Sequence, residues 1–240
     1  MVRILVPVAL AALTGCATQA DHDQLVKCVS ELEAKVAELD AKGASKSSAR
    51  TKASAEDEGK AMELLKELET LIAAGKMTDA KAKVDEIFDK YPSTTAAARA
   101  KRTKAELSVV GKAVGAPDIE SWFVEGEVDL ASGSTLVVFW EIWCPHCRRE
   151  VPELQATFEK YQGKMDVVGL TRLTKNKTAE EVQKFIDENK VSYPMAKESG
   201  KTASDFAVSG IPAAAIVKDG KIVWRGHPGK LTDDLIDKLI

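Results

Sequence analysis

Two cysteines with two residues between them, in Cys144-Pro145-His146-Cys147, carry the clearest chemistry in this chain of 240 residues. A dithiol at that spacing can close a small disulfide ring and open it again. The apolar run Leu136-Val137-Val138-Phe139-Trp140 comes just before it and reads as a buried strand, and Arg148 to Tyr161 follows as an amphipathic helix. A cysteine at a helix N-terminus has its thiolate stabilised by unpaired backbone N–H groups and the positive end of the helix dipole. The spacing therefore predicts a redox pair in which Cys144 attacks and Cys147, one turn further in, resolves the mixed disulfide. His146 stands between them, where an imidazolium or a ring donor beside the sulfur would favour the thiolate. A zinc site would need two further ligands, but Cys16 and Cys28 lie far upstream and the histidines are scattered at 22, 146 and 227. No metal and no organic cofactor is expected.

The residues around the thiols extend this reading. Phe139-Trp140-Glu141-Ile142-Trp143-Cys144-Pro145-His146-Cys147-Arg148-Arg149-Glu150-Val151-Pro152 is similar to the pattern F-W-x-x-W-C-x-x-C, then a basic residue and E-x-P, of the TlpA/ResA-like thiol–disulfide oxidoreductases of the thioredoxin superfamily. Gly210-Ile211-Pro212 lies where that superfamily has a cis-proline facing the active site, and an Asp219-Gly220 hairpin and a closing helix follow in order. The resemblance spans about Val114 to Ile240. It implies an α/β, thioredoxin-like fold with a mixed sheet, and catalytic roles for Cys144, Cys147, Pro145, His146 and Glu150. It also implies that Ile211, Pro212 and Trp143 meet an extended substrate, that the substrates are protein thiols and disulfides, and that an upstream thiol donates electrons. One departure is Val138, which stands where thioredoxins bury an aspartate. Proton exchange with Cys147 is therefore expected to fall to Glu150 or to water. The reading is a periplasmic reductase acting on envelope proteins. Pro145-His146 is also the dipeptide of DsbA-like oxidants, so an oxidase or isomerase stands beside it. A third alternative is a scaffold lipoprotein or a copper chaperone holding Cu(I) on Cys144, Cys147 and His146.

The remainder of the chain must carry and position this site. Met1-Val2-Arg3 and the apolar run Ile4 to Leu13 read as a secretory signal over residues 1–15, too short to span a bilayer. Leu13-Thr14-Gly15-Cys16 resembles the bacterial lipobox, which implies a lipid on Cys16, with Ala17 favouring the periplasmic side of the outer membrane. Residues 16–42 form the anchor and a short tether in which Leu25, Val29, Leu32, Val36 and Leu39 make an a/d seam, readable as a coiled coil joining copies through residues 25–39 or as a solvated spacer helix. Residues 43–60 read as a flexible linker rich in Ala, Ser, Lys and Thr. In residues 61–112, Glu63 to Ala74 and Asp79 to Tyr91 present apolar faces, and Ser93 or Thr94 caps a third helix to Val110. Within it, Gly75 to Ala80 followed by Pro92 is similar to the turn and second helix of a tetratricopeptide repeat. Residues 113–240 form the thioredoxin-like domain, with a weak strand near Val124 to Leu130, strands at 136–140, 165–171 and 213–217, a helix from Thr178, and a last strand Lys221 to Gly226. The formal net charge is −3 and no basic face stands out, which excludes nucleic acid as a partner.

Overall fold

A computed structural model describes residues 53–240 and, ahead of them, only Lys27, Val29, Ser30, Glu31, Glu33 and Lys35, which are helical. The expected signal, the lipidation site Cys16, Cys28, the rest of the expected seam and linker residues 43–52 lie outside the described residues. Of the seam positions only Val29 is described, and it is 48% exposed. Residues 52–240 form one compact unit.

Three helices open it. α1 (Ala55–Ala73) begins at Ser54, whose hydroxyl accepts from Asp57 N at 3.0 Å, and Glu56, Asp57 and Glu58 in its first turn complement the helix dipole. Residues 55–60, expected as linker, therefore belong to the helix: a cap and an acidic first turn specify helix where apolar periodicity is weak. α2 (Met77–Lys90) follows Gly75, whose φ of +75° closes the turn, and stops before Pro92. Thr94 caps α3 (Thr95–Leu107) through Ala97 N at 3.2 Å. Glu58 reaches from α1 to accept from Thr95 N at 3.0 and 3.1 Å, tying the first helix to the start of the third.

The sheet orders its six strands β1-β4-β3-β2-β5-β6. They are β1 (Ile119–Val124), β2 (Ser134–Trp140), β3 (Asp166–Thr171), β4 (Met195–Glu198), β5 (Ala213–Lys218) and β6 (Lys221–Gly226). β2, β3 and β4 run parallel, whereas β1, β5 and β6 run antiparallel to their neighbours. α4 (Pro145–Lys160), α5 (Ala179–Glu188), α6 (Lys201–Asp205) and α7 (Asp233–Leu239) complete the domain. This is a thioredoxin-like mixed sheet.

β2 is buried on both faces, as a central parallel strand requires. Leu136, Val138 and Trp140 face one core, and Val137 and Phe139 face the other. The first core is shared with the three N-terminal helices: Leu68, Val84, Ile87 and Ala100 are buried in the same cluster as Trp224 and Leu235. After α3 the chain runs along β6, with Gly111 N donating to Ile222 O at 2.8 Å and Ile222 N to Lys112 O at 3.0 Å. The helical region is thus a layer of the domain.

The first strand differs from expectation. It covers 119–124 instead of 124–130, because its partner β4 begins at Met195, paired with Val124, directly after Pro194. A proline has no N–H to extend the ladder, and beyond Val124 the chain passes so close to Pro194 that Gly126 has no room for a β-carbon. β4 itself is short and half polar, Met-Ala-Lys-Glu, and shows no alternation that a sequence window would detect.

Candidate active site

Strand register assembles the site. Phe139, next to the end of β2, pairs with Ala213, the first residue of antiparallel β5, and Trp140 pairs with Thr171, the last residue of parallel β3. Residues 141–144, 172–177 and 210–212 therefore emerge from the same edge of the sheet. α4 starts there at Pro145, three residues earlier than the apolar pattern implied, since proline suits the first helical position and Cys144 serves as the cap. The Cys144 sulfur accepts from Cys147 N at 3.4 Å, so a backbone donor of the helix start is aimed at it. Ile211 and Pro212 are joined by a cis peptide bond, and Ile211 O lies 3.7 Å from the Cys144 sulfur.

Both cysteines are free thiols. Cys144 is 4% exposed and Cys147 fully buried, so Cys144 is the more accessible of the two but is itself largely covered. Burial, followed by its hydrogen bond with Cys144, pushes the Cys147 thiol pKa well above its ordinary 9.0. The outer sulfur thus meets a helix N-terminus, and the inner one is held in its protonated form.

Other expected site residues are arranged differently. His146 is exposed, and its Nδ1 lies 2.6 Å from the Arg149 guanidinium. A guanidinium only donates, so Nδ1 accepts there, and the ring is engaged with Arg149 where a contact with sulfur was expected. Glu150 lies against Gly229, where a β-carbon would come within 3.3 Å of both its carboxylate oxygens. Its charge bears on His227, whose pKa burial lowers and Glu150 raises. Among the described residues no cluster of three His, Cys, Asp or Glu side chains is placed to hold a metal.

The acid beside the thiols is Glu141, which sequence reasoning passed over. It is 4% exposed and accepts from Trp143 Nε1 at 2.7 Å, from the Thr174 hydroxyl, and from Arg172 at 3.4 Å. Glu141 also appears among the charges acting on Cys147. Trp143 Nε1 reaches Thr174 Oγ1 as well, at 3.0 Å, and Lys175 lies over the indole ring, 3.2 Å from its centre. Arg172 in turn approaches buried Glu198 at 3.9 Å. The signal was present in the sequence: a glutamate inside Phe139-Trp140-Glu141-Ile142-Trp143 sits where a charge is rare unless it is paired.

Comparison with known proteins agrees with this architecture. Residues 124–225 match the AhpC/TSA family, a span that takes in β2 to β6 and the thiol helix and leaves β1, apart from Val124, and the three N-terminal helices outside. Among the chain's relatives, thioredoxin-like protein YneN of Bacillus subtilis is 26% identical over 121 residues, 49% of this chain and 71% of that protein. Thiol-disulfide oxidoreductase ResA of Halalkalibacterium halodurans is 22% identical over 113 residues, 47% of this chain and 63% of that protein. Of solved structures, a thiol-disulfide isomerase from Corynebacterium glutamicum aligns with a TM-score of 0.47 at 21% identity, covering 54% of this chain and 93% of that one.

Proposed function

We propose that the protein is a thiol–disulfide oxidoreductase acting on protein substrates, with Cys144 as nucleophile and Cys147 as resolving thiol. The observation that carries this reading is the pair itself: one sulfur capping a helix beside the carbonyl of a cis-prolyl bond, the other buried and protonated one turn inside. In the reductive direction the Cys144 thiolate attacks a substrate disulfide, forms a mixed disulfide and releases one substrate thiolate. Cys147 then gives up its proton and attacks the Cys144 sulfur. The Cys144–Cys147 disulfide forms, the second substrate thiolate leaves, and two electrons have passed to the substrate. An external thiol donor restores the dithiol. Ile211 O and the edge it belongs to would receive the substrate backbone, as in strand addition.

The reading continues to a reductase on the periplasmic face of a membrane, supported by the signal-like run Ile4 to Leu13 and the lipobox-like Cys16. Pro145-His146 favours the competing oxidase or isomerase. The reduction potential separates the two: about −250 mV or lower supports a reductase, whereas about −120 to −180 mV supports the oxidising alternatives. The roles of the two cysteines are tested by substitution. Cys144→Ser is expected to abolish reduction of insulin disulfides, and Cys147→Ser to accumulate mixed disulfides visible on non-reducing gels. Undiminished turnover by Cys144→Ser would refute the assignment.

A further inference from the structure

Glu141 does more in this structure than fill space. A carboxylate that is 4% exposed needs donors on its lone pairs, and these come from Trp143 on one side and from Arg172 and Thr174, on the loop after β3, on the other. The indole is thereby fixed at three points: its N–H is shared between Glu141 and Thr174, and one face is occupied by Lys175. The loop holding these partners has left-handed backbone at Lys175 and Asn176, with φ of +52° and +58°, a conformation that such residues keep only when their surroundings enforce it.

What this clamp positions is the wall of a groove. Trp143, Ile142 and Phe185 border an open depression of about 440 Å³ next to the thiol helix, with Arg148 at its mouth. The other charges on its rim are matched in pairs, Lys177 with Glu181 at 2.7 Å and Lys184 with Glu188 at 3.8 Å. Between these charges the wall of Trp143, Ile142 and Phe185 offers an apolar side chain a contact surface. Trp143 immediately precedes Cys144, so a side chain seated there belongs to the same polypeptide segment as the sulfur under attack.

We propose that Glu141 is a positioning residue for substrate recognition: through Trp143 it holds open a groove that accepts a bulky apolar side chain flanking the substrate's cysteine. The proposal rests on the thiol–disulfide reading of the site. Glu141 touches no reacting atom in this scheme and acts on the strength of substrate binding.

The test uses the full chain with insulin disulfide as the probe. Glu141→Gln is expected to raise KM roughly tenfold at unchanged kcat, the signature of lost uniform binding. In a Trp143→Phe background, which lacks the indole N–H, Glu141→Gln is expected to change KM by less than about twofold, because residues acting through one another are not additive. The near-ultraviolet circular dichroism of Trp143, obtained as wild type minus Trp143→Phe, should be largely lost in Glu141→Gln. Thr174→Val, which removes a bridge and leaves the carboxylate in place, should shift KM and dichroism the same way to a smaller extent, and it carries the test if Glu141→Gln fails to fold. A fall in kcat at constant KM would assign Glu141 to the thiol chemistry and overturn the proposal, as would equal KM effects with and without the indole N–H. If the wild-type protein does not turn over insulin at all, it is the functional reading that fails. The dichroism then decides alone, and an unchanged Trp143 signal in both variants overturns the proposal.

Discussion

The thiol edge of the sheet and the N-terminal helical layer drain into one hydrophobic cluster, yet they bury polar groups to different ends. In and around the helical layer, the buried polar side chains close structural accounts. Thr94 caps α3, Glu106 pairs with Arg102 at 2.8 Å, and Arg225 on β6 donates to the carbonyls of Phe206 and Gly226 at 3.0 Å each. At the thiol edge, Glu141 and Cys147 are buried within reach of groups that a substrate would touch. The lesson is that burial of a polar group does not by itself mark function. The partners separate the cases: caps and carbonyls in one region, a tryptophan and a sulfur at the mouth of a groove in the other.

This contrast can be broken from the helical side first. Leu68→Ala removes a side chain 1% exposed in the shared core and is expected to destabilise the whole domain by about 2–5 kcal/mol, in a single transition followed by both far-ultraviolet and tryptophan signals. Thiol turnover per folded molecule should be unaffected. Two separate transitions would show that the helices fold independently of the thiol domain.

A smaller effect comes from the thiol edge. Because the folded state raises the pKa of Cys147, the folded protein keeps a proton that the unfolded chain loses above pH 9.0. Its contribution is complete below that pH and is lost as pH rises, by up to about 1.4 kcal/mol per pH unit. Tyr161, raised by burial to about 12, and Tyr193, also raised by burial, add to the slope only above their ordinary 10.0. Urea unfolding of the reduced protein between pH 9 and 10 should therefore steepen its loss of stability, and Cys147→Ala should remove that component. An identical slope in the variant would show that Cys147 is not the group involved.

The smallest test returns to the helices. Thr94→Ala deletes a cap that also donates to Tyr91 O at 2.8 Å, and should lower stability by about 1 kcal/mol without altering KM for a protein disulfide. A change in KM would mean that the helical layer reaches the substrate.

The cysteines, the strand that delivers them and the helix that carries them were legible as residues. Alternate side chains of the apolar run Leu136–Trp140 face two cores, whereas the helix, read from Arg148, starts three residues earlier at Pro145. The Asp219-Gly220 hairpin was legible as well, since both residues adopt positive φ. The start of α1 was obscured by its Ala, Ser and Lys composition, although Ser54 and the acidic turn after it are local signals. Glu141 was visible as a charge inside an apolar stretch, but its partners Arg172 and Thr174 lie some thirty residues on, beyond the reach of any helical or strand period.

By itself the sequence determined the dithiol, its place at a helix N-terminus, the central strands β2, β3 and β5, and the turn joining the last two strands. Each depends on interactions within a few residues: dihedral preferences, capping bonds and alternation. Tertiary structure alone decided which acid stands beside the thiols, where His146 and Glu150 turn, how Trp143 is held, and that the N-terminal helices share the core. Those outcomes follow from sheet order and register, which bring the ends of β2, β3 and β5 to one edge. Register is settled by pairing between distant segments competing for the same buried surface, so it belongs to the folded chain as a whole.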